Sequence, residues 1–215
     1  MSAQKNQATD AVVVGGGPVG SYAALHLAKK GVKVTVYEEH PQIGLPSHCA
    51  GHISVKSLRK IGLYPLPEGV EENTFRAANF YSPQGTKFSL HLSCPVTVAL
   101  NRAKFDQYLA RQAQDAGAKY VFNSRVQSLC TVQGSVRGVN VTSSTGQETV
   151  FSKIVVDAEG VSSRLIRQAG LQPLKPSGLV YAVEAEVENI RNVESDAVEV
   201  YFGKNGMLFI KVIMN

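Results

Sequence analysis

Residues 11 to 38 constrain this chain most, because an apolar strand there runs into a glycine turn and the next strand ends in an acid. Ala11-Val12-Val13-Val14 is an unbroken apolar run, as expected of a parallel strand buried on both faces. Gly15, Gly17 and Gly20 follow in G-x-G-x-x-G spacing. The first permits a tight turn, the second lets the backbone approach a pyrophosphate, and the third lets helix and strand pack closely.

The spacing predicts a helix over 18 to 30, with Pro18 in its first turn and Ala23, Ala24, Leu25, Leu27 and Ala28 on its apolar face. Gly31 is placed to end it. The free N–H groups at the start of such a helix face whatever anion lies over the glycines. Val32, Val34 and Val36 make the second strand, and Glu38 stands 18 residues beyond Gly20, near the separation expected of an acid that accepts a ribose hydroxyl. A carboxylate there repels a 2′-phosphate, so the adenosine of FAD or NAD is expected rather than that of NADP. A P-loop is excluded by the missing Gly-Lys-Ser/Thr ending.

With 215 residues, 44% hydrophobic and 18% charged, the chain has ample core for one large domain or one and a half. Its net charge of +5 is spread out, and no Lys/Arg run or aromatic-basic platform points to nucleic acid. Cys49, Cys94 and Cys130 have no C-x-x-C spacing, which favours a reducing compartment over a disulfide framework. Met1 to Asp10 is too polar for a secretory signal, and no apolar run approaches the length of a bilayer span. The expectation is a cytoplasmic protein, with peripheral membrane contact if its substrate is a lipid.

Residues 41 to 73 are rich in proline and glycine and read as a long excursion holding one helix at 54 to 61. Strands are expected over 74 to 81, 86 to 92 and 95 to 100, the first two joined by Ser82-Pro83-Gln84-Gly85. A helix over 101 to 116 ends at Gly117, and strands near 119 to 122, 125 to 132, 136 to 142 and 148 to 156 follow. Ile154-Val155-Val156 is apolar on both faces and should rejoin the parallel sheet beside the first strand, carrying Asp157 to its ligand-binding end. Alternation over 181 to 187, 197 to 202 and 208 to 213 predicts antiparallel strands joining the 74 to 100 insertion. The chain thus reads as α/β: a Rossmann-like nucleotide domain with a parallel central sheet (1 to 73 and 101 to 172) and an incomplete antiparallel substrate sheet (74 to 100 and 173 to 215).

Three segments together resemble the flavoprotein group that contains the geranylgeranyl reductases and, more distantly, the aromatic-ring hydroxylases. They are the glycine turn with Glu38, Asn101-Arg102-Ala103-Lys104-Phe105-Asp106-Gln107-Tyr108-Leu109, and Asp157-Ala158-x-Gly160-x-x-Ser163-Arg164. Ile43-Gly44-x-Pro46-x-x-Cys49-Ala50-Gly51 resembles the geranylgeranyl reductase loop, and Tyr201-Phe202-Gly203-Lys204-Asn205 the approach to that family's substrate sheet. Gly206 to Asn215 match neither the aromatic stretch nor the Gly-Asp-Ala segment that follow in the family, and the chain has no tryptophan. The expectation is the N-terminal half of such an enzyme, cut or altered after Asn205.

The resemblance implies FAD, with its pyrophosphate at Gly15, Gly17 and Gly20, its adenosine ribose at Glu38 and its ribityl side at Asp157 and Gly160. It brings Pro18, Glu39, Cys49, Ala50 and Val126 into the cofactor's surroundings, although from the residues alone Glu39 and His40 read as solvated. Arg102 would set its guanidinium near the phosphates, in keeping with a positive charge at a helix start, where the dipole disfavours it. Arg164 divides between flavin support and a solvated helix residue. Cys49 would line the active site and help position or protonate the alkene, against the commoner state of a buried thiol. Cys94 and Cys130 are expected in the core.

No metal is expected at His48, Cys49 and His52, because Pro46 and Gly51 argue against a rigid scaffold and no fourth ligand is near. Tyr64, Phe75, Phe80 and Tyr81 could line a lipid tunnel or simply fill a core. The implied activity is reduction of carbon–carbon double bonds of geranylgeranyl or prenyl groups on a lipid or pigment precursor, with an external donor, NAD(P)H or a ferredoxin, since no second glycine turn exists for a resident nicotinamide. The competing readings are a flavin monooxygenase of the aromatic hydroxylase type and a non-catalytic nucleotide-binding fragment.

Overall fold

A computed structural model describes residues 9–47, 49–204 and 206–213. In chain order the elements are β1 (Ala11–Val14), α1 (Pro18–Lys29), β2 (Val34–Tyr37), β3 (His52–Ser54), α2 (Val55–Lys60), β4 (Glu71–Phe75), β5 (Ala77–Tyr81), β6 (Lys87–His91) and β7 (Thr97–Leu100). There follow α3 (Arg102–Asp115), β8 (Lys119–Val121), β9 (Arg125–Val132), β10 (Ser135–Ser143), β11 (Gly146–Phe151), β12 (Ile154–Asp157), α4 (Arg164–Gln168), β13 (Ala197–Phe202) and β14 (Met207–Ile210). None of the described helices is long and apolar enough to cross a membrane. The chain divides into two compact units, 1–46 with 105–181 and 47–104 with 182–215. The sequence reading divides it at 73, 100 and 172 instead, so the excursion 47–73 groups with the second unit.

In the first unit, strands ordered β12-β1-β2-β8 pair in parallel. β1 is buried on both faces, as its composition predicts, because its side chains point alternately into two cores. On one side Val13 meets Ala24, Leu25 and Ala28 of α1 and Ala113 of α3; on the other, Val12 and Val14 meet Val126, Val139 and Val141 of the antiparallel sheet β11-β10-β9. At roughly 1.5–3 kcal/mol for each fully buried valine, these two layers fix the centre of the unit. The expected strand over 148 to 156 is two strands in different sheets, β11 and β12. β12 does rejoin the sheet beside β1, but at its edge, where Ile154 is exposed, so burial on both faces does not hold for it.

In the second unit, β3, β7 and β4 form an antiparallel sheet, and β14-β13-β5-β6 form a separate four-stranded sheet. The expected strand over 74 to 81 breaks at Arg76, and its halves belong to the two sheets. The break has a cause far along the chain: Arg76 N–H and Ala77 N–H both donate to the Asp196 carbonyl, at 3.0 and 3.1 Å, and Arg76 Nε donates to Asp196 Oδ2 at 2.6 Å. β13 does join the insertion, but it runs parallel to β5, so that sheet is mixed rather than antiparallel. Residues 181 to 187 form no strand, and Val183 is 99% exposed. Alternation specifies two faces but supplies no neighbour to bond, and an extended segment with no neighbouring strand satisfies its backbone with water.

Candidate functional site

The parallel register brings the ends of four strands level, since Val14 pairs with Tyr37 and Asp157, and Tyr37 with Val121. Gly15, Glu38 and Ala158 therefore emerge together at the carboxyl edge, where open α/β sheets take their ligands. Gly15 has φ of +93°, and a Cβ on it would lie 2.5 Å from the Ala158 carbonyl oxygen. A Cβ on Gly20 would come within 1.9 Å of the Gly15 carbonyl oxygen, which is why α1 can approach the turn so closely. Gly17 differs: its conformation is open to any residue and a Cβ there meets nothing within 4 Å. The middle glycine thus faces free space beside the helix start.

That helix start carries no side-chain cap and no acid in its first turn. Its uncapped N–H groups and dipole suit an anion. Glu38 is only 7% exposed and turns toward the glycines. Its Oε2 accepts from Gly16 N at 2.7 Å, while Oε1 accepts from His40 N at 2.9 Å and lies 2.6 Å from His40 Nδ1. Open space at Gly17, an uncapped helix and an inward-facing acid are the features an adenine dinucleotide requires, so these residues fit FAD.

The other residues expected in the first unit take varied positions. Pro18 opens α1, while Glu39 is exposed and pairs with Arg125 at 3.2 Å. Asp157 Oδ1 accepts from Glu159 N at 3.0 Å, and Gly160 follows with φ of +68°. Partial burial pushes the Asp157 carboxyl up, against the opposing pull of that N–H. Arg164 is not a freely solvated side chain: its Nη2 donates to the Val126 carbonyl at 3.4 Å and its Nε stands 3.6 Å from Glu159 Oε2. Glu159, which the sequence reading passed over, also accepts from Leu165 N at 2.6 Å and so ties the end of β12 to α4.

Cys49, Ala50 and Arg102 belong to the second unit and line one cavity of about 520 Å³, with Glu72, Asn101 and Lys211. Cys49 is exposed, not a buried thiol, and Cys94 is exposed as well, contrary to its expected place in the core, because it lies in the link between β6 and β7. Cys130 is half-buried in β9. Gly51 sets the loop: it has φ of +65°, its carbonyl accepts from Leu100 N at 2.9 Å, and a Cβ would meet the Leu100 oxygen at 2.2 Å. Asn101 caps α3 by accepting from Lys104 N at 3.0 Å, which places Arg102 in the first turn. Lys211, unflagged by any motif, donates to the Ala50 carbonyl. His48 of the expected loop and Asn205 of the expected substrate approach lie outside the described residues. No metal-binding group of three or more His, Cys, Asp or Glu occurs among the described residues.

The aromatic residues separate by environment. Phe75 is core, at 0% exposure, and Tyr64 lies beneath the Arg59 guanidinium. Phe80 and Tyr81 point to opposite faces of the mixed sheet. Phe80 joins a row with Phe88, Val200 and Phe209, and its ring stacks against Phe88 at 6.1 Å and Phe202 at 6.4 Å. His52, in β3, packs against Phe75 and Phe209 with ring centroids at 5.4 and 5.0 Å, and burial, then the Lys211 charge, holds its pKa below the ordinary 6.5. A neutral ring is therefore favoured by folding. Its contribution is complete above the unfolded pKa and is lost as pH falls through the lower folded value. In urea melts the unmodified protein should lose stability below about pH 6.5 more steeply than His52→Asn, with the two curves parallel near pH 8.

The fold and the carboxyl-edge site define a dinucleotide-binding flavoprotein domain. The model of the FAD binding domain family matches residues 8–213, and the chain belongs to that family. It is 36% identical over 195 residues, 90% of its length, to digeranylgeranylglycerophospholipid reductase 2 of Methanothermobacter thermautotrophicus, and 33% identical over 92% of its length to digeranylgeranylglycerophospholipid reductase of Methanocaldococcus jannaschii. In both cases the alignment takes in 50% of the relative, so the chain spans about half the length of these proteins. Among solved structures, a geranylgeranyl bacteriochlorophyll reductase-like protein from Thermoplasma acidophilum superposes with a TM-score of 0.81 at 27% identity, over 96% of this chain and 54% of that one. The p-nitrophenol 4-monooxygenase of Pseudomonas putida shares the fold alone, with a TM-score of 0.65 at 21% identity over 77% of this chain and 44% of that one.

Proposed function

We propose that this chain forms the FAD-holding part of a reductase that saturates carbon–carbon double bonds of prenyl groups on a lipid. The observation that carries the reading is the exposed Cys49 thiol, which opens on a cavity shared with Arg102 rather than into a core. FAD, when bound and reduced by NAD(P)H or a ferredoxin, supplies the reducing equivalents. Gly15, Gly17 and Gly20 would take its diphosphate and Glu38 its ribose, with Asp157 and Gly160 along the ribityl side and Arg102 adding positive charge. An isolated alkene has no carbonyl to polarise it, so orientation and exclusion of water must supply much of the rate, and Cys49 would position the alkene or deliver a proton.

The sheet formed by β5, β6, β13 and β14 supports an apolar substrate. Phe88, Leu90, Phe202 and Met207 are exposed on the face that carries Phe80, and large apolar side chains gathered on one exposed sheet face suit a prenyl chain. A lipid substrate would be met by peripheral contact with a membrane.

The test is anaerobic incubation of the flavin-loaded protein with a detergent-dispersed prenyl lipid and a chemical reductant, followed by mass spectrometry. The expected product is heavier by two hydrogens per double bond, and Cys49→Ala should lower its rate about 100-fold with flavin content unchanged. Oxygen uptake coupled to hydroxylated product would establish the monooxygenase reading instead.

A further inference from the structure

The short helix α2 has two unlike sides. Val55 and Leu58 are each 2% exposed, whereas Lys56, Arg59 and Lys60 are all exposed, at the i, i+3, i+4 spacing that sets side chains on one helical face. The helix is firmly placed: Ser54 Oγ accepts from Ser57 N at 3.3 Å, and Val55 N donates to the Val96 carbonyl at 2.9 Å. No acid occurs between Ser54 and Pro67, and none of the three cations takes part in an ion pair among the described residues. Directly after them Ile61 is 44% exposed, and Tyr64 lies under Arg59 with the guanidinium 5.1 Å from its ring centre.

From this juxtaposition of three cations on one face with Ile61 and Tyr64 beside them, we propose that α2 and the loop after it dock the second unit on an anionic lipid surface. Cations alone would suit any polyanion. The exposed aliphatic side chain and the interfacial tyrosine distinguish a bilayer, where apolar groups enter the headgroup boundary while the ammonium and guanidinium groups stay at phosphate level. A nucleic acid would ask for a longer basic track or open stacking rings. Lys29 and Lys30 at the end of α1 and Lys33 just before β2 supply a contrast: they are exposed too, but the Asp10 carboxylate stands beside Lys33, accepting from its backbone N–H at 3.3 Å and feeling its charge, and among the described residues no exposed large apolar residue neighbours them in the chain. The proposal takes from the proposed function only that the substrate is a lipid.

Co-sedimentation of the full chain with vesicles tests it. Partition onto phosphatidylcholine vesicles containing about one third phosphatidylglycerol should exceed that onto phosphatidylcholine alone by about 100-fold, roughly fivefold per cation, and collapse at about 0.5 M salt. K56Q/R59Q/K60Q should abolish the preference with thermal melting unchanged, while K29Q/K30Q/K33Q retains it. Ile61→Ser should weaken binding to both kinds of vesicle. Single K56Q and K60Q variants, each expected to lose about fivefold, serve if the triple variant does not fold. The proposal is overturned if the α2 triple variant binds like the unmodified protein, if the α1 triple variant loses as much, or if heparin or duplex DNA captures the chain as tightly as the anionic vesicles. Vesicle binding needs neither flavin nor turnover. Lost docking with prenyl saturation retained in detergent therefore counts against this surface alone, and the reverse result against the proposed activity alone.

Discussion

Gly20→Ala is expected to lower the stability of the protein by about 3 kcal/mol, a fall in Tm of about 6–12 °C, and to abolish flavin retention, while Gly17→Ala leaves Tm nearly unchanged and still weakens FAD binding about 100-fold. The two glycines are three residues apart in one motif, yet the atoms around them predict opposite behaviour. A methyl group on Gly20 would sit 1.9 Å from the Gly15 carbonyl oxygen, and since that obstacle is backbone, either α1 or the turn must move. A methyl group on Gly17 meets no protein atom within 4 Å, and the residue's φ of −63° is one that alanine adopts freely. The new carbon would instead enter the space into which the diphosphate must come. Thermal melts of the apo protein read the first effect, and fluorescence titration with FAD reads the second. Equal destabilisation by both substitutions would refute this division of roles.

Removing the Glu38 side chain is the second large change. Glu38→Ala should raise the FAD dissociation constant about 100-fold and cost the apo protein about 1–3 kcal/mol, because the Gly16 N–H loses its partner inside a buried turn. The carboxylate has unequal work to do. Oε1 already meets both the His40 N–H and the imidazole, whereas Oε2 accepts, among the described residues, from Gly16 N alone, at 2.7 Å, and so keeps a lone pair for a ribose hydroxyl. Glu38→Gln keeps an acceptor but sets an amide NH₂ among N–H donors, so an intermediate loss of affinity is expected. Titration calorimetry together with urea melts of the apo variants separates the two contributions. An Ala variant that binds FAD as tightly as the unmodified protein would show that the acid serves the turn alone.

The nucleotide half was legible in the sequence because each of its signals is local. The buried run at Ala11–Val14, the glycines, the end of α1 before Gly31 and the acid after β2 each follow from a few neighbouring residues. The second unit was less so, because its decisive contacts join distant segments. The break at Arg76 depends on Asp196, and the parallel pairing of β13 with β5 depends on where a chain of more than a hundred residues returns. The pattern over 181 to 187 has the period of a strand without a neighbour to make it one. Glu159 and Lys211 escaped notice for a similar reason: each acts on backbone far along the chain or beyond a turn, and neither stands in a recognisable spacing.

The contact between Gly15 and Ala158 also bears on the order of events during synthesis. β1 lies between β2, which leaves the ribosome soon after it, and β12, which emerges more than a hundred residues later. Until β12 arrives, one flank of β1 lacks its hydrogen-bonded neighbour and the wall behind the first glycine is missing. A nascent chain can therefore display the whole glycine motif and still have no place to hold a dinucleotide. Cofactor capture is therefore expected to follow the slow closure of a long-range parallel pairing rather than the quick local folding of a strand and its helix.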